Sequence, residues 1–224
     1  MGDVPEEPLK GLALYHALLE KFRAVPDAEG RLDCEKLADA AMQISVVYEL
    51  VFGKGFISRH LKQDIANSSG RMREAAQALS KSRGGGAVTA DDLISWELKQ
   101  LGIPRMRKDQ KSGVRGMLWM QRALDFVFTL ICNMFGTMKT ATAKECALDA
   151  YDRILKPYHS FLVSNVVSLA FSLAPSKEEF VSRLGFEMSE AEKCLPSIQE
   201  VILPIISRLR TLLEESQCYF PDKA

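Results

Sequence analysis

The chain has 224 residues, 47% of them apolar and 26% charged, and its 29 basic and 29 acidic side chains balance to a formal net charge of zero. This composition is typical of a globular protein with enough apolar side chains to form a substantial core. The balanced charge excludes the strongly basic class of nucleic-acid-binding proteins, so we expect no nucleic acid partner.

The cysteines and the N-terminus favour a reducing compartment. The cysteines are far apart, odd in number and without a C-x-x-C pair, which argues against a disulfide framework and against a zinc knuckle. They are Cys34, Cys132, Cys146, Cys194 and Cys218. The first ten residues, MGDVPEEPLK, are acidic and lack the basic-then-apolar order of a signal peptide. We therefore expect a cytoplasmic protein.

Capping residues and apolar side chains at helical spacing predict helices along the whole chain. Asp33 can cap a helix that runs through about Val51, and a second helix is expected over residues 57–79. The glycine-rich residues 80–89 are expected to form a flexible connection. Capping boxes of the form S/T-x-x-E/D occur at Thr89–Asp92, Thr142–Glu145, Ser176–Glu179 and Ser189–Glu192.

The second half of the chain continues this pattern. We expect a loop at 102–111, which contains Pro104, then a long apolar helix over 114–135 and a last helix over 196–213. No run alternates apolar and polar residues over the length of a strand. We therefore predict an all-α fold, a single domain over residues 1–224 with about eight helices packed in two layers.

One apolar run follows Lys156, and within it only His159 can carry a charge near neutral pH. Serines at positions 160, 164, 168 and 172 form one narrow stripe along a helix. This stripe predicts a buried central helix rather than a membrane span. Pro157 is expected to start the helix and to place His159 in its first turn, where the helix dipole favours a neutral imidazole. On these residues alone, a structural role for His159 is the simpler interpretation.

Sequence motifs of enzymes are missing. The chain has no P-loop, no G-x-G-x-x-G after a strand, no H-E-x-x-H and no G-x-S-x-G. The three histidines, at positions 16, 60 and 159, are scattered and offer little material for a metal site. We therefore expect no enzymatic activity, no cofactor and no metal ion.

Two apolar helices carry polar side chains at positions i, i+4 and i+7, so that each set shares one face. They are Asp64, Ser68 and Arg71 in the first helix, and Arg115, Trp119 and Arg122 in the second. The first set could be a solvated face with ordinary charge pairs. In the second, Trp119 could belong to the core while the arginines extend to solvent. The alternative is that the Trp119 ring lies between the two arginines at the rim of a pocket.

Three segments together resemble the glycolipid transfer protein family. FISRHLKQDIANSSGRM (56–72) is similar to the family's F-x-x-x-x-x-D-I-x-x-N-x-x-K stretch, and GMLWMQRALDFV (116–127) to its L-x-W-L-x-R-x-L-x-F helix. AYDRILKPYHSFLVSNVVSLAFSLAPSKEEF (150–180) looks like its A-Y-x-x-x-L-K-x-x-H-x-W…A-P-x-x-x-x-F segment. The segments follow the family's order, and the resemblance extends over roughly residues 33–215.

The resemblance implies a two-layer helical sandwich that takes single sphingolipids from membranes and carries them through water. The lipid headgroup would lie at a surface site, and the hydrocarbon chains would enter a hydrophobic pocket. No bond would be made or broken. The resemblance also implies transient contact with a membrane surface, and we expect the carrier to be a monomer.

Individual residues acquire roles from this resemblance. Asp64 corresponds to an aspartate that contacts the ceramide amide and sugar hydroxyls, and His159 to a histidine that hydrogen-bonds the same amide. Trp119 corresponds to the tryptophan on which the first sugar stacks, and Arg71 stands where the family has a headgroup-binding lysine. These side chains suit the roles, since a carboxylate accepts from N–H and O–H groups and an indole covers the apolar face of a sugar.

Three positions depart from the sugar-binding branch of the family. Ser68 stands where that branch has asparagine, and Phe161 replaces a tryptophan that helps to meet the membrane. Arg115 resembles the branch that carries ceramide-1-phosphate, which has arginines at the positions of both Arg115 and Trp119. We favour a glycosphingolipid carrier whose headgroup site includes Ser68 and Arg115. The alternatives are a ceramide-1-phosphate carrier and a lipid sensor or adaptor that binds without efficient transfer.

The hydrocarbon pocket is expected on the helices that carry the headgroup site. Each candidate wall residue could equally belong to an ordinary core. The candidates are Phe126, Leu130, Phe161, Val163, Val167 and Phe171.

Overall fold

The computed structural model describes residues 9–52, 55–172 and 174–223. Within these ranges the backbone forms nine α-helices, one π-helical turn, one 3-10 turn and two isolated bridges, but no strand. The predicted all-α fold is confirmed. The α-helices are α1 (Gly11–Arg23), α2 (Cys34–Phe52), α3 (Phe56–Ser82), α4 (Ala90–Lys108), α5 (Gly113–Cys132), α6 (Ala143–Ile154), α7 (Phe161–Ser172), α8 (Lys177–Leu184) and α9 (Met188–Glu215).

Most predicted helix starts are confirmed by the caps that form there. Asp33 Oδ1 accepts a hydrogen bond from the Lys36 amide at 3.0 Å, at the start of α2. Thr89 and Thr142 each form a complete capping box, at the starts of α4 and α6. Ser176 Oγ accepts from the amide three residues on at 3.1 Å, at the start of α8. These caps satisfy amide groups that a helix leaves without a partner at its first turn.

The predicted start of the last helix is wrong. α9 begins eight residues before Pro196, and Glu187 provides its capping box instead of Ser189. Pro196 and Pro204 both lie inside α9 with exposed side chains. Water can therefore reach the carbonyl groups that lose their helical partners at these prolines, which allows the helix to continue.

The predicted loop at 102–111 is a break at Gly102 followed by more helix. Gly102 has a φ of 68° and a ψ of 160°, a left-handed conformation that glycine adopts without strain. Helix then resumes and continues to Lys108. Pro104 lies in the first turn after the break, where its missing N–H is not needed. Only residues 109–112 connect α4 to α5.

The helix after the apolar run, α7, is not the buried central helix that was predicted. It has 12 residues and packs against α6. Phe161 is 77% exposed and Asn165 is also exposed, whereas Phe171 is buried at 9% exposure. The side chains of Ser168 and Ser172 lie outside the described set. In the described part of the chain, no helix has the length and hydropathy needed to cross a bilayer.

α5 is the helix around which the fold is built. It contacts α3, α4, α6 and α9, while α2 contacts α1, α3 and α8. Met117, Leu124 and Phe128 of α5 are completely buried, and the Phe128 ring meets the edge of Phe22 from α1 at a centroid distance of 5.7 Å. Side chains on the remaining face of α5 are thus held on a rigid element.

The start of α5 is fixed by a carboxylate from α4. Glu97 is 4% exposed. Its carboxylate accepts from Ser112 Oγ at 2.6 Å, from the Gly113 amide at 2.7 Å and from the Val114 amide at 3.2 Å. A carboxylate at this end of a helix also complements the helix dipole. Glu97 therefore sets where the first turns of α5, which carry Arg115 and Trp119, lie relative to α4.

Candidate functional site

Two glycines bring the polar faces of α3 and α5 together. A Cβ atom at Gly116 would lie 2.6 Å from the Ser68 carbonyl oxygen and 3.0 Å from Arg71 Cβ, and one at Gly113 would lie 2.4 Å from Ala75 Cβ. Only glycine permits such close approach of the two backbones. The predicted stripe on α3 is therefore placed directly against the first turns of α5.

Two cations meet at this junction. The Arg71 guanidinium donates to the Gln110 carbonyl at 3.1 Å and lies 3.5 Å from Ser68 Oγ. Arg115 Nη1 donates to the Arg107 carbonyl at 2.6 Å. Burial, followed by the nearby charge of Arg115, lowers the pKa of Arg71. Neither Arg71 nor Arg115 forms an ion pair with a carboxylate in the described residues, so the two guanidinium groups can attract an anion or donate hydrogen bonds to hydroxyl oxygens.

Trp119 and His159 form the aromatic part of the site. Their rings lie 6.1 Å apart between centroids, with an interplanar angle of 18°. His159 Nδ1 is 3.1 Å from Tyr151 Oη, which is itself 3.1 Å from Ser164 Oγ. The hydrogen bond with Tyr151 engages Nδ1 of the imidazole, so Nε2 is the nitrogen that can bind a ligand.

The expected position of His159 in the first turn of a helix is wrong. Pro157 lies in a single 3-10 turn, Lys156–Tyr158, and His159 follows it with an extended backbone (φ −97°, ψ 143°). α7 begins two residues later. The pKa of His159 is nevertheless lowered, first by burial and then by the charge of Arg122. The imidazole is neutral at pH 7 because of its surroundings and not because of a helix dipole.

We expect the pKa of His159 to lie below 6.5, the ordinary value for a histidine. A pKa that is lower in the folded than in the unfolded chain means that the folded chain binds the proton less readily. The free energy of unfolding should then fall as the pH drops below about 6.5, and should not depend on this group above it. A proton NMR titration, with the His159 resonance assigned from His159→Asn, measures the value. A pKa above 6.5 would contradict the assignment of a neutral imidazole.

Arg122 is buried beneath the site and does not extend to solvent. Its side chain is 1% exposed, and its guanidinium carbon lies 3.5 Å from the Tyr158 ring centroid and 4.9 Å from the centroids of both Trp119 and Tyr219. It donates to the Phe220 carbonyl, while its Nε has no hydrogen-bond partner among the described residues. Cation–π contacts hold a desolvated guanidinium in place. Arg122 thereby ties α5, the 3-10 turn and the C-terminal segment to one another.

A small cleft opens above Arg122. Its free volume is about 10 Å³, enough for about one water molecule. It is lined by Arg107, Arg115, Leu118, Trp119, Arg122, Phe220 and Asp222. The cleft is therefore bordered by cations, by one carboxylate and by an indole, which are groups that recognise a polar headgroup.

Asp64 lies at the outer end of the stripe on α3, with an exposed side chain. Partial desolvation raises the pKa of its carboxyl group, and the positive charges of His60 and Arg71 act in the opposite direction. In the part of the chain that the structure describes, no hydrogen bond or ion pair joins Asp64 to Trp119 or His159. The structure thus groups Asp64 with the α3 side chains and leaves it out of contact with the aromatic pair.

The expected pocket residues divide into three groups. Phe126 and Phe171 are buried and stack at 5.9 Å between centroids, and Phe171 also meets the edge of Tyr151 at 5.7 Å. Leu130, Val163 and Val167 are half-buried. Phe161 departs from the expectation, because its side chain lies in solvent. Tyr151 contacts both His159 and Phe171, so it joins the apolar cluster to the aromatic part of the site.

Several residues of the site were not anticipated from the sequence. They are Glu97, Arg107, Tyr151, Tyr158, Tyr219 and Asp222. Tyr151 belongs to a segment that already carried the family resemblance. The adjacent aromatic residues Tyr219 and Phe220, shortly after the last helix, are the feature of the sequence that indicates packing of the C-terminal segment against the fold. Among the described residues, no group of three or more potential metal ligands is present.

Comparison with known proteins identifies the fold and the family. The family model described as Glycolipid transfer protein (GLTP) matches residues 32–186. The glycolipid transfer protein of Aureobasidium melanogenum is 22% identical over 186 residues, which cover 82% of this chain and 84% of the relative.

Two solved structures share the fold. One shows how FAPP2 selects simple glycosphingolipids using the GLTP-fold, with a TM-score of 0.78, 16% identity, and coverage of 94% of this chain and 99% of that chain. The other is a variant of Arabidopsis accelerated-cell-death 11 complexed with ceramide-1-phosphate, with a TM-score of 0.75, 17% identity, and coverage of 95% and 98%. These likenesses confirm the predicted helical sandwich. Because the family model matches more than half of the length of this chain, the chain belongs to the glycolipid transfer protein family.

Proposed function

We propose that this protein binds one sphingolipid and carries it between membranes. The observation that carries the proposal is the continuity between a polar cleft and an apolar cluster. Trp119 of the cleft stacks beside His159, His159 is hydrogen-bonded to Tyr151, and Tyr151 contacts Phe171 of the apolar cluster. An amphipathic ligand with its polar part in the cleft would have its apolar part directed into the helical core.

The ceramide amide is the group that would lie between these two parts. His159 Nε2 can bind the amide, since Nδ1 is already engaged by Tyr151. The Asp64 carboxylate can accept from the amide N–H or from a sugar hydroxyl if the ligand bridges α3 to the aromatic pair. We propose Asp64, Ser68, Arg71, Arg115, Trp119 and His159 as the residues that bind the amide and headgroup.

A neutral sugar is the proposed headgroup. The half-buried indole of Trp119 offers an apolar surface at the cleft, against which the C–H face of a sugar can pack at small entropic cost. Arg71, Arg115 and Ser68 would bind its hydroxyl groups. The name of the Aureobasidium relative, which is a glycolipid transfer protein, supports this choice.

The hydrocarbon chains would enter by separating Phe126 from Phe171. These rings come from α5 and α7, and α7 also packs against α6. Each buried CH₂ group of a lipid contributes about 0.8 kcal/mol, so a chain of ordinary length can offset the loss of this ring contact. Leu130, Val163 and Val167 would extend the pocket wall.

Phe161 is proposed to meet the membrane surface. It is 77% exposed at the first position of α7, two residues after His159. An exposed aromatic ring next to a lipid site can enter the interfacial region of a bilayer while the ligand is exchanged. The contact would be transient, and the carrier would act as a cytoplasmic monomer, without a cofactor and without catalysis.

Ceramide-1-phosphate is the second candidate ligand. Arg71 and Arg115 lie close enough for the charge of one to lower the pKa of the other, and two guanidinium groups can bind a phosphate through several charge-assisted hydrogen bonds. The Arabidopsis structure contains this lipid. A protein that binds either lipid but moves little of it between vesicles would instead act as a sensor or adaptor.

A vesicle-to-vesicle transfer assay with fluorescent galactosylceramide and fluorescent ceramide-1-phosphate tests the function and the headgroup together. We expect transfer of galactosylceramide by the wild type. Trp119→Ala should reduce it about tenfold through loss of the stacking surface, and should reduce ceramide-1-phosphate transfer less. Arg208→Ala, which removes an exposed arginine of α9, is the matched control and should leave both rates unchanged.

The reverse pattern identifies the second candidate. If Arg115→Ala impairs transfer more than Trp119→Ala, and ceramide-1-phosphate is the lipid affected, the ligand is the phosphate lipid. If the wild type moves neither lipid and binds neither, the proposed function is wrong. Melting temperatures of each variant show whether a loss reflects the site or the fold.

A further inference from the structure

The C-terminal segment forms one wall of the cleft. Phe220 is 5% exposed, and its carbonyl accepts a hydrogen bond from buried Arg122. The Tyr219 ring lies 4.9 Å from the same guanidinium and 6.0 Å from the Tyr158 ring. These contacts anchor residues 219–220, and they hold Asp222 at the rim of the cleft.

Asp222 brings a carboxylate to the cations of the cleft. Arg107 donates to both of its oxygens, at 2.5 Å from Nε and 2.5 Å from Nη2. Arg115 donates to the backbone carbonyl of the same Arg107. The hydrogen bond from Arg107, together with the charges of Arg107, Arg115 and Arg122, lowers the pKa of Asp222. The carboxylate is therefore ionised at pH 7 and partly neutralises this group of arginines.

We propose that Asp222 is a specificity-determining residue that disfavours anionic headgroups in this cleft. The inference rests on the proposed function, and it concerns the choice between a sugar and a phosphate. A phosphate would compete with the Asp222 carboxylate for guanidinium donors, and the two anions would repel each other. A neutral sugar meets no such repulsion, and its hydroxyl groups can donate to the carboxylate.

The size of the cleft strengthens this argument. It has room for about one water molecule, which is less than the space that a phosphate or a sugar needs. A headgroup must therefore displace part of the wall, and Asp222 belongs to the part of the wall that is not helical. For a phosphate, this displacement breaks the bidentate ion pair of Arg107 with Asp222, and an ion pair of Arg107 with the phosphate replaces it. A sugar carries no charge that competes for these donors, so Arg107 and Asp222 can move together without breaking their ion pair.

The test compares Asp222→Asn with the wild type in the full chain. Asparagine keeps the size of the side chain and removes its charge. We measure binding and transfer of ceramide-1-phosphate and of galactosylceramide, with neutral phosphatidylcholine vesicles. The ratio of ceramide-1-phosphate to galactosylceramide is expected to rise about threefold or more in the variant. The gain should shrink at about 1 M salt, where exposed charges are screened within about 3 Å.

A matched control removes the same charge elsewhere. Glu192→Gln breaks an exposed ion pair with Lys139, 3.6 Å long, near the opposite end of α9. Its lipid ratio should equal that of the wild type. A rise of the same size in Glu192→Gln would overturn the inference, because net charge alone would then explain it.

An unchanged ratio in Asp222→Asn would also overturn the inference, while binding of either lipid by the wild type would leave the proposed function intact. If the wild type binds neither lipid, the proposed function and the inference fail together. Circular dichroism and melting temperature establish that the variants are folded.

Discussion

Replacing His159 by leucine is expected to reduce sphingolipid transfer about 10- to 100-fold, with the same loss for galactosylceramide and for ceramide-1-phosphate. The ceramide amide is common to both lipids, so its recognition should not depend on the headgroup. Leucine has a similar volume but no hydrogen-bonding atom. A desolvated amide left without a partner costs about 1–3 kcal/mol, which corresponds to about 5- to 160-fold and includes this range. Asp64→Val should cause a comparable loss if Asp64 binds the opposite side of the amide.

The controls separate binding from folding. His16→Leu removes an exposed imidazole on α1 and should transfer both lipids at the wild-type rate. His159→Asn keeps a donor and an acceptor near the amide, so it should retain more activity than His159→Leu. Wild-type transfer by a folded His159→Leu protein would remove His159 from the site. A loss restricted to one lipid would place His159 at the headgroup instead of the amide.

Local signals in the sequence account for the parts of the fold that were predicted. The capping interactions of Asp33, Thr89 and Thr142 join residues three apart, so the pattern of residue types is sufficient to locate them. The last helix was placed too late because Pro196 was interpreted as its start. A proline on the exposed face of a long helix is tolerated, and the sequence alone does not reveal which face is exposed.

Contacts between distant residues account for what was not predicted. The stripes on α3 and α5 could be derived from helical spacing, but Gly116 gave no sign that it meets the backbone of Ser68. The sequence left open whether Arg122 extends to solvent or lies at a pocket, because nothing near it in the sequence indicates its contacts with Tyr158 and Tyr219. The extended backbone of His159 depends on a 3-10 turn that the proline pattern does not distinguish from a helix start.

Gly116→Ala is expected to destabilise the fold by about 0.5–2 kcal/mol, although alanine is the better helix former. The new Cβ would lie 2.6 Å from the Ser68 carbonyl oxygen, which is a backbone atom and cannot rotate away. α3 and α5 must then separate, and overpacking of this kind outweighs the gain of about 1 kcal/mol in helix propensity. Gly116→Val should be less stable still. Urea-induced unfolding measures both free energies.

Gly70 provides the matched control, since it lies in α3 and a Cβ there would meet nothing within 4 Å. Gly70→Ala should therefore raise the free energy of unfolding by about 0.5–1 kcal/mol. The same chemical change thus has opposite expected signs at the two positions. If Gly116→Ala stabilises the protein as Gly70→Ala does, the close approach of α3 and α5 is wrong. The placement of Ser68 and Arg71 against the start of α5 would then be wrong as well, because it depends on this close approach at Gly116 and on the similar one at Gly113.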